Sequence, residues 1–262
     1  MIDKENLIKH IKNTEERYVV MKVLNKVESV LKNHTICTTD FYDPYQTSLC
    51  VPLLDQIRDI NYIVTGGYKE AERRVMIIYP EYIELMEDDC PIRAIKISGK
   101  FTKDTLSHRD FLGSVLGLGL RREKIGDILV GDGQTNLIAH KELCDYILVN
   151  LEKVSKYKVN IEEISFCDLM KVKEEFKMIH GTVATLRLDS ILGTGFGESR
   201  SAIAKLINND RVKVNFKPVN QPSYILNEGD LISFKGKGRI ILDQIGNKTK
   251  KDRYKVMIKR IV

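Results

Sequence analysis

The sequence predicts an α+β protein that is made of three successive units. The N-terminal residues have the apolar spacing of amphipathic helices, and the residues that follow alternate strands with helices. The last third combines two short helices, several short strands and an excess of basic residues. We therefore expect an N-terminal α/β domain at residues 1–72, a middle α+β domain at residues 73–165, and a C-terminal domain at residues 182–262.

In the N-terminal unit, apolar residues recur at helical spacing from Lys4 to Lys32, which predicts two successive amphipathic helices. A third helix is expected at Gln46–Asp59, around Pro52, and Ile60–Val64 is predicted to be a short strand that ends at a pair of glycines.

The middle unit is expected to begin near Arg73 with a buried strand at Val75–Tyr79 and a second strand at Ile92–Ser98. A helix capped by Ser107 should follow, with apolar residues turned inward. The remaining predicted elements are a hairpin around Gly131–Gly133, a helix at Glu142–Lys156, a strand at Val159–Ile164 and a linker at Asp168–Met178. This order predicts a sheet with helices on one face.

The C-terminal unit opens with a short apolar helical stripe that a glycine-rich segment, Gly193–Gly197, should end. Ser199 is the expected cap of a second helix, which carries Ile203, Leu206 and Ile207 at helical spacing. Short strands are predicted at Val212–Val214, Tyr224–Leu226 and Leu231–Phe234.

Composition excludes several classes of protein. No apolar run reaches the roughly 18–20 residues that cross a bilayer, and the charged N-terminus does not resemble a secretory leader. The 5 cysteines form no CxxC pair, and the 5 histidines have no ligand-like spacing. We therefore expect a cytoplasmic protein with reduced cysteines, with no metal and no cofactor.

Charge is distributed unevenly along the chain. Thr182–Val262 contains 16 Lys/Arg and 7 Asp/Glu, a net charge of +9, whereas the preceding residues carry 26 and 29, a net charge of −3. Such asymmetry indicates a polyanionic partner for the C-terminal third, although a solvated basic surface would give the same count.

A scattered motif lies within this basic third. It consists of Arg187-Leu188-Asp189, Gly197–Ala202, Leu206-Ile207, Val212–Asn215, Pro222-Ser223, Leu226, Gly229-Asp230 and Ile232. Its order and spacing resemble the S4 RNA-binding domain, and the resemblance implies two short helices on a small twisted sheet. Asp210 and Phe216 stand in turns where that family usually has glycine, which leaves the geometry of these two turns uncertain.

Basic and polar side chains of this motif are candidate RNA contacts. The candidates are Arg187, Ser199, Arg200, Lys205, Arg211, Lys213, Asn215, Lys235, Lys237 and Arg239. Ser199 either caps its helix or donates to a phosphate. Each single charge, taken alone, is equally well explained as solvated surface.

Asp189 allows an alternative function. The tripeptide Arg187-Leu188-Asp189 also occurs in pseudouridine synthases, where the aspartate is the nucleophile, so an RNA-modifying enzyme is the competing hypothesis. In those enzymes a large catalytic domain follows the S4 domain, whereas only about 70 residues follow the tripeptide here. We therefore predict that Asp189 serves the start of its helix and that the protein is not an enzyme.

A second motif spans Ser107–Ile128 and contains Gly113, Gly117 and Gly119, followed by a basic cluster. These glycines lie within and after a helix, so they do not form a dinucleotide-binding loop. The candidate contacts in this motif are Arg109, Arg121, Arg122 and Lys124.

This second motif, placed before a C-terminal S4 domain, resembles the YlmH family of bacterial S4-domain proteins over nearly the whole chain. The resemblance implies a middle RNA-binding domain of α-β plait type and association with the large ribosomal subunit. It further implies binding of ribosomal RNA and tRNA in the rescue of stalled translation, where peptidyl-tRNA is held while the nascent chain receives a C-terminal tail. Protein partners in rescue and a link to cell division are also implied. We expect a monomer that does not bind membranes, and a protein-interaction scaffold is the third hypothesis.

Overall fold

The computed structural model describes residues 3–171 and 175–261. Contacts divide the chain at residue 172 into two compact units, an N-terminal unit and a C-terminal unit. Both are mixed helix-and-sheet structures with antiparallel strand pairs, which confirms the α+β class.

The first part of the N-terminal unit packs three helices on a small sheet. Its elements are α1 (Lys4–Ile8), α2 (Thr14–Asn33), β1 (Cys37–Thr38), α3 (Pro44–Leu54), β2 (Ile60–Thr65) and β3 (Val75–Pro80). The apolar face of α2 is buried over the sheet with residues such as Leu24 and Val27, so the predicted amphipathic helices are confirmed. Asp43 caps α3 through a bond from the Gln46 N–H, 2.8 Å long.

The strand Val75–Pro80 corrects one prediction. We expected it to open the middle unit, but β3 pairs with β2 along six residues and with β1 on its other side. A boundary at residue 72 would therefore cut through this three-stranded sheet. The sequence could not reveal the pairing because an apolar run does not identify its partner strand.

The second part of the N-terminal unit is an α-β plait. Its elements are β4 (Ile92–Gly99), α4 (His108–Leu116), β5 (Ile125–Val130), β6 (Gln134–His140), α5 (Lys141–Asn150), β7 (Lys153–Val154) and β8 (Tyr157–Ile164). Without the two-residue strand β7, the element order is β-α-β-β-α-β and the strand order is β5-β6-β4-β8, which match the plait that the family resemblance implied. Ser107 precedes α4 as predicted, and its N–H and hydroxyl both donate to the Asp110 carboxylate. The helix predicted at Glu142–Lys156 ends earlier, at Asn150.

The C-terminal unit places two helices on a six-stranded sheet of order β11-β10-β12-β13-β14-β9. Its elements are β9 (Phe176–Val183), α6 (Leu188–Phe196), α7 (Arg200–Ile207), β10 (Val212–Val214), β11 (Lys217–Pro218), β12 (Leu231–Phe234), β13 (Gly238–Lys248) and β14 (Tyr254–Ile261). The core joins Leu188, Ile191 and Ile203 of the helices to strand residues such as Ile240 and Ile258.

Two predicted segments of this region differ from the structure. The predicted linker Asp168–Met178 includes residues 172–174, which lie outside the described residues, and its end belongs to β9, which pairs with β14 over eight residues. Tyr224–Leu226 forms a single bridge, from Ile225 to Arg187, rather than a strand. This segment still matters, because it fixes the start of α6.

Candidate nucleic-acid interface

A tight turn between α6 and α7 brings the start of α7 back beside α6. Gly197 ends α6 in the left-handed conformation, with φ of 69°, and its N–H donates to the Gly193 carbonyl. Ser199 then caps α7 by accepting from the Ala202 N–H at 3.3 Å, which confirms the predicted cap.

The start of α6 is held by the segment that follows Pro222. The Leu188 N–H donates to the Tyr224 carbonyl at 2.8 Å, and the Asp189 N–H donates to the Pro222 carbonyl at 3.1 Å. These bonds satisfy two N–H groups that a helix start leaves without internal partners. The first turn of α6 is therefore fixed by backbone contacts.

Arg187, Asp189 and Arg200 form a charged cluster, here called the arginine clamp. The Asp189 carboxylate accepts from Arg187 at 3.1 and 3.3 Å and from Arg200 at 2.9 and 3.1 Å. The Ser190 hydroxyl donates to the same carboxylate at 3.2 Å. Because Arg187 precedes α6 and Arg200 begins α7, the clamp joins the starts of both helices. Asp189 thus orients two arginines, whereas we had predicted that it serves the helix start.

In the arginine clamp the aspartate side chain is buried, whereas both arginine side chains are exposed to solvent in part. The side chain of Asp189 is 7% exposed, against 37% for Arg187 and 54% for Arg200. Burial alone would raise the pKa of Asp189, but hydrogen bonds and charges from both arginines outweigh burial and lower that pKa. Each guanidinium has five N–H donors and uses only part of them on Asp189, and both arginine side chains are partly exposed. A nucleophile must reach its substrate, and two guanidinium groups cover this carboxylate.

Other predicted contacts lie around the helix pair. Lys237, in the turn between β12 and β13, pairs with Glu198 beside the Gly197 turn and lies over the Phe234 ring. Lys205 is exposed on α7. It lies about 140° around the helix axis from Arg200, because five residues separate them at about 100° each. Lys205 and Arg200 therefore face different directions.

A second group of predicted RNA contacts lies near the ends of strands β10, β12 and β13. The Lys235 N–H donates to the Arg211 carbonyl at 2.8 Å, so these two exposed residues are neighbours, and Lys213 lies on the adjoining strand. The exposed Asn215 is also fixed within the fold, since its side-chain amide donates to Asp230 at 2.8 Å and its amide oxygen accepts from the Leu231 N–H at 2.9 Å. The Arg239 guanidinium lies 5.6 Å from the centre of the Phe216 ring.

The two turn residues that depart from the S4 pattern adopt the conformation that glycine would favour. Asp210 has φ of 53° and Phe216 has φ of 68°, both in the left-handed region. The chain therefore keeps the turn geometry of the motif at some conformational cost.

The basic cluster of the middle motif divides into outward and inward residues. Arg109 is exposed on α4, and Arg121 is 67% exposed, 3.6 Å from Glu123. Arg122 points inward and donates to the carbonyls of Ile125 and Gly126. Burial and the nearby Arg73 lower the pKa of Arg122 to about 10.

Lys124 is also used internally. Its ammonium lies 3.1 Å from Asp40 and 2.7 Å from Glu142, so it connects the first part of the N-terminal unit to the plait. Burial would lower its pKa, but the hydrogen bonds that the ammonium donates to Glu142 and Asp40, together with their charges, outweigh burial and raise it. Only Arg109 and Arg121 of this motif therefore present their charge outward.

Among the described residues, no group of three or more His, Cys, Asp or Glu side chains is placed to hold a metal ion. No helix within those same ranges is both long and apolar enough to cross a membrane.

Two helices on an antiparallel sheet, with arginines at the helix starts, are the arrangement expected of the S4 class of RNA-binding proteins. The family model "S4 domain" matches residues 186–232, "YlmH, N-terminal" matches residues 15–83, and "Putative RNA-binding domain in YlmH" matches residues 86–168. The chain is 34% identical over 248 residues to the "Ribosome-associated protein quality control protein P2" of Bacillus subtilis (strain 168), covering 94% of this chain and 95% of that relative. The chain belongs to the YlmH family.

Two further similarities are more limited. The small ribosomal subunit protein uS4 of Chlorobium phaeobacteroides is 41% identical over 54 residues, which are 20% of this chain and 27% of that protein. The solved structure of "Cell division protein ylmH from Streptococcus pneumoniae" has a TM-score of 0.54 at 23% identity, covering 61% of this chain and 96% of that one. The latter similarity shows the fold alone.

Proposed function

We propose that this protein is a non-catalytic factor that binds ribosomal RNA and tRNA on the large ribosomal subunit during the rescue of stalled translation. In this role it would stabilise peptidyl-tRNA while the nascent chain receives its C-terminal tail. The B. subtilis relative is named for ribosome-associated quality control, and 95% of its length is covered. We further propose that the protein acts as a monomer in the cytoplasm and that it is also linked to cell division.

The observation that carries this proposal is the arginine clamp. Phosphate groups of an RNA backbone accept paired N–H donors, and the planar guanidinium supplies them in a fixed fork. Asp189 holds the two guanidinium groups of Arg187 and Arg200 before RNA arrives. Less side-chain freedom is then lost on binding, which favours affinity.

We propose two RNA contacts on the folded chain. The first is the helix pair of the C-terminal unit, with the clamp, Ser199, Lys205 and Lys237, and the strand-end residues Arg211, Lys213, Lys235 and Arg239 extend it. The second is the exposed pair Arg109 and Arg121 of the plait. Arg122, Lys124 and Asn215 support the fold that presents these contacts.

Co-sedimentation with purified large ribosomal subunits tests the proposal. The variant Arg187→Gln/Arg200→Gln should lose most of its co-sedimentation at about 0.1 M salt, because two phosphates are no longer neutralised and their counterions are no longer released. The matched control Lys12→Gln/Lys32→Gln removes two exposed charges from the N-terminal unit and should bind like the wild type.

Equal binding by all three proteins would contradict a role for the clamp. Wild-type protein that does not bind subunits at all would contradict the proposed function. RNA recovered from the incubation should contain no new modified nucleotide, and modification that Asp189→Ala abolishes would favour the enzyme hypothesis instead.

A further inference from the structure

The β13–β14 hairpin extends past the part of the chain that matches the S4 family model. That match ends at residue 232, whereas the hairpin runs from Gly238 to Ile261. β12 pairs with β13 at Gly238–Ile241, so residues 244–248 of β13 continue beyond that strand, paired with β14. Two irregularities in the register bend this outer half of the hairpin. Its tip is therefore a separate feature of the C-terminal unit.

The tip of the hairpin is a defined turn. The Thr249 N–H donates to the Arg253 carbonyl at 2.8 Å, and the Asp252 N–H donates to the Thr249 carbonyl at 2.9 Å. Lys248 pairs with Asp252 at 2.8 Å and lies 4.9 Å from the centre of the Tyr254 ring. Arg253 donates to the hydroxyl of Thr182 on the neighbouring strand β9 at 3.2 Å. Arg253, which precedes β14, thus ties the base of the tip to β9.

Basic residues are concentrated in this turn. Residues 248–255 contain five basic residues and one acid, Asp252. The basic residues are Lys248, Lys250, Lys251, Arg253 and Lys255. All five are exposed. Lys250 and Lys251 stand at the apex, and within the described part of the chain neither has a hydrogen-bond or ion-pair partner.

We propose that this hairpin tip, residues 248–255, is an additional contact for the phosphate backbone of structured RNA, separate from the S4 helices. The inference rests on the proposed function, since it assigns a further contact to the same RNA. Like charges held together in a fixed turn repel one another, and a polyanion relieves that repulsion. Lys250 and Lys251 are free to point at phosphates, while Lys248 and Arg253 hold the turn that displays them.

The chemistry of the tip favours RNA over a membrane surface. Proteins that lie on anionic membranes combine basic residues with apolar or aromatic side chains that enter the lipid. The apex Thr249–Asp252 has no such side chain, and the Tyr254 ring is half-buried beside Lys248. Contacts to phosphate alone add affinity and position without reading sequence.

The test compares full-length proteins by their salt-dependent binding to large-subunit ribosomal RNA. The wild type is measured beside Lys250→Gln/Lys251→Gln, the charge-retaining Lys250→Arg/Lys251→Arg, and the control Lys12→Gln/Lys32→Gln. The slope of log affinity against log salt should fall by about 2 in the first variant, about 1 for each phosphate that a lysine no longer neutralises. The other two variants should keep the wild-type slope, and circular dichroism should show equal melting temperatures for all four.

Each outcome decides the inference. A slope in Lys250→Gln/Lys251→Gln equal to that of the wild type would overturn it while leaving the proposed function intact. Wild-type protein that fails to bind this RNA would overturn both. Binding to phosphatidylglycerol vesicles that the glutamine variant loses, with its RNA slope unchanged, would assign the tip to a membrane and overturn the inference.

Discussion

Arg200 and Asp189 are joined by hydrogen bonds of 2.9 and 3.1 Å although they lie on different helices. The aspartate belongs to the first turn of α6, and the arginine is the first residue of α7. The bond therefore fixes the start of the second helix against the start of the first. It also determines where the guanidinium presents its free donors.

Replacing Asp189 with asparagine should weaken RNA binding by roughly tenfold, although the substitution makes the protein more basic. A neutral amide carries N–H donors of its own, so it holds two guanidinium groups less well than a carboxylate does. The loss corresponds to about 1.4 kcal/mol. Fluorescence anisotropy with a labelled fragment of ribosomal RNA measures it.

The variant Asp210→Asn is the matched control, because it makes the same change in charge at an exposed turn of the same unit. It should bind as tightly as the wild type or slightly more tightly. If Asp189→Asn behaves in the same way, the aspartate does not organise the arginines.

Removing the charge of Lys124 should change the stability of the fold, whereas removing the charge of Arg121 should change RNA binding. Lys124→Gln should lower the free energy of unfolding by about 1–3 kcal/mol, because the half-buried Asp40 loses a charged partner. Arg121→Gln should leave stability within about 0.5 kcal/mol and reduce the salt slope of RNA binding by about 1. Chemical denaturation and binding titrations of both variants test this division. A lower salt slope in Lys124→Gln, together with a loss of stability in Arg121→Gln, would show that the turn presents Lys124, rather than Arg121, to RNA.

The stability of the plait should fall between pH 7.5 and pH 5 because of His140. Burial, reinforced by the nearby Lys124, lowers the pKa of His140 to about 4 from about 6.5, so the fold favours neutral histidine. The stability that neutral His140 contributes is fully present above about pH 6.5, the pKa of histidine in the unfolded chain. It is lost as the pH falls from 6.5 towards 4, the pKa of His140 in the folded protein. The expected loss by pH 5 is about 2 kcal/mol. Hydrogen exchange of peptides from β6 and α5 measures it.

The variant His140→Gln removes the titrating group and should show a much smaller loss over the same interval. The carboxylates around this site, Asp40 and Glu142, have lowered pKa values and therefore act mainly at lower pH. A variant with the full wild-type pH dependence would contradict the assignment to His140.

Asp210 should be replaceable by glycine but not by alanine. Its φ of 53° lies where glycine is unstrained and where alanine pays roughly 1 kcal/mol. Asp210→Gly should therefore match or exceed the wild-type stability, and Asp210→Ala should fall below it. Hydrogen exchange across residues 200–216 measures the relative stability of the three proteins. Equal protection in the two variants would exclude strain at this turn.

Local patterns predicted the elements of this fold better than their partners. The helix at Arg200–Ile207 was predictable because its cap and its apolar spacing lie within a few residues. The placement of Val75–Pro80 in the first sheet, and the strand at Phe176–Val183, were missed because each depends on a distant partner strand. Strand pairing is decided by contacts that no local pattern contains.

The same limit applies to the site. The basic residues around Arg121 were identified as a cluster, but the direction of each side chain depends on other segments. Lys124 turns inward because Asp40, 84 residues earlier, provides a carboxylate there. Asp189 was recognised as important for its helix, yet its partner Arg200 could be identified only after the Gly197 turn had brought the two helices together.

Strand β14 occupies the sheet position between β13 and β9. During synthesis, β9 therefore leaves the ribosome about 70 residues before the strand that pairs with it. Until residues 254–261 are made, the eight residues of β9 keep an open edge that could pair with another chain. Because β9 lies at the edge of the finished sheet, β14 is the strand that joins it to the other four, and a chain that stops before β14 leaves β9 free to pair with another chain.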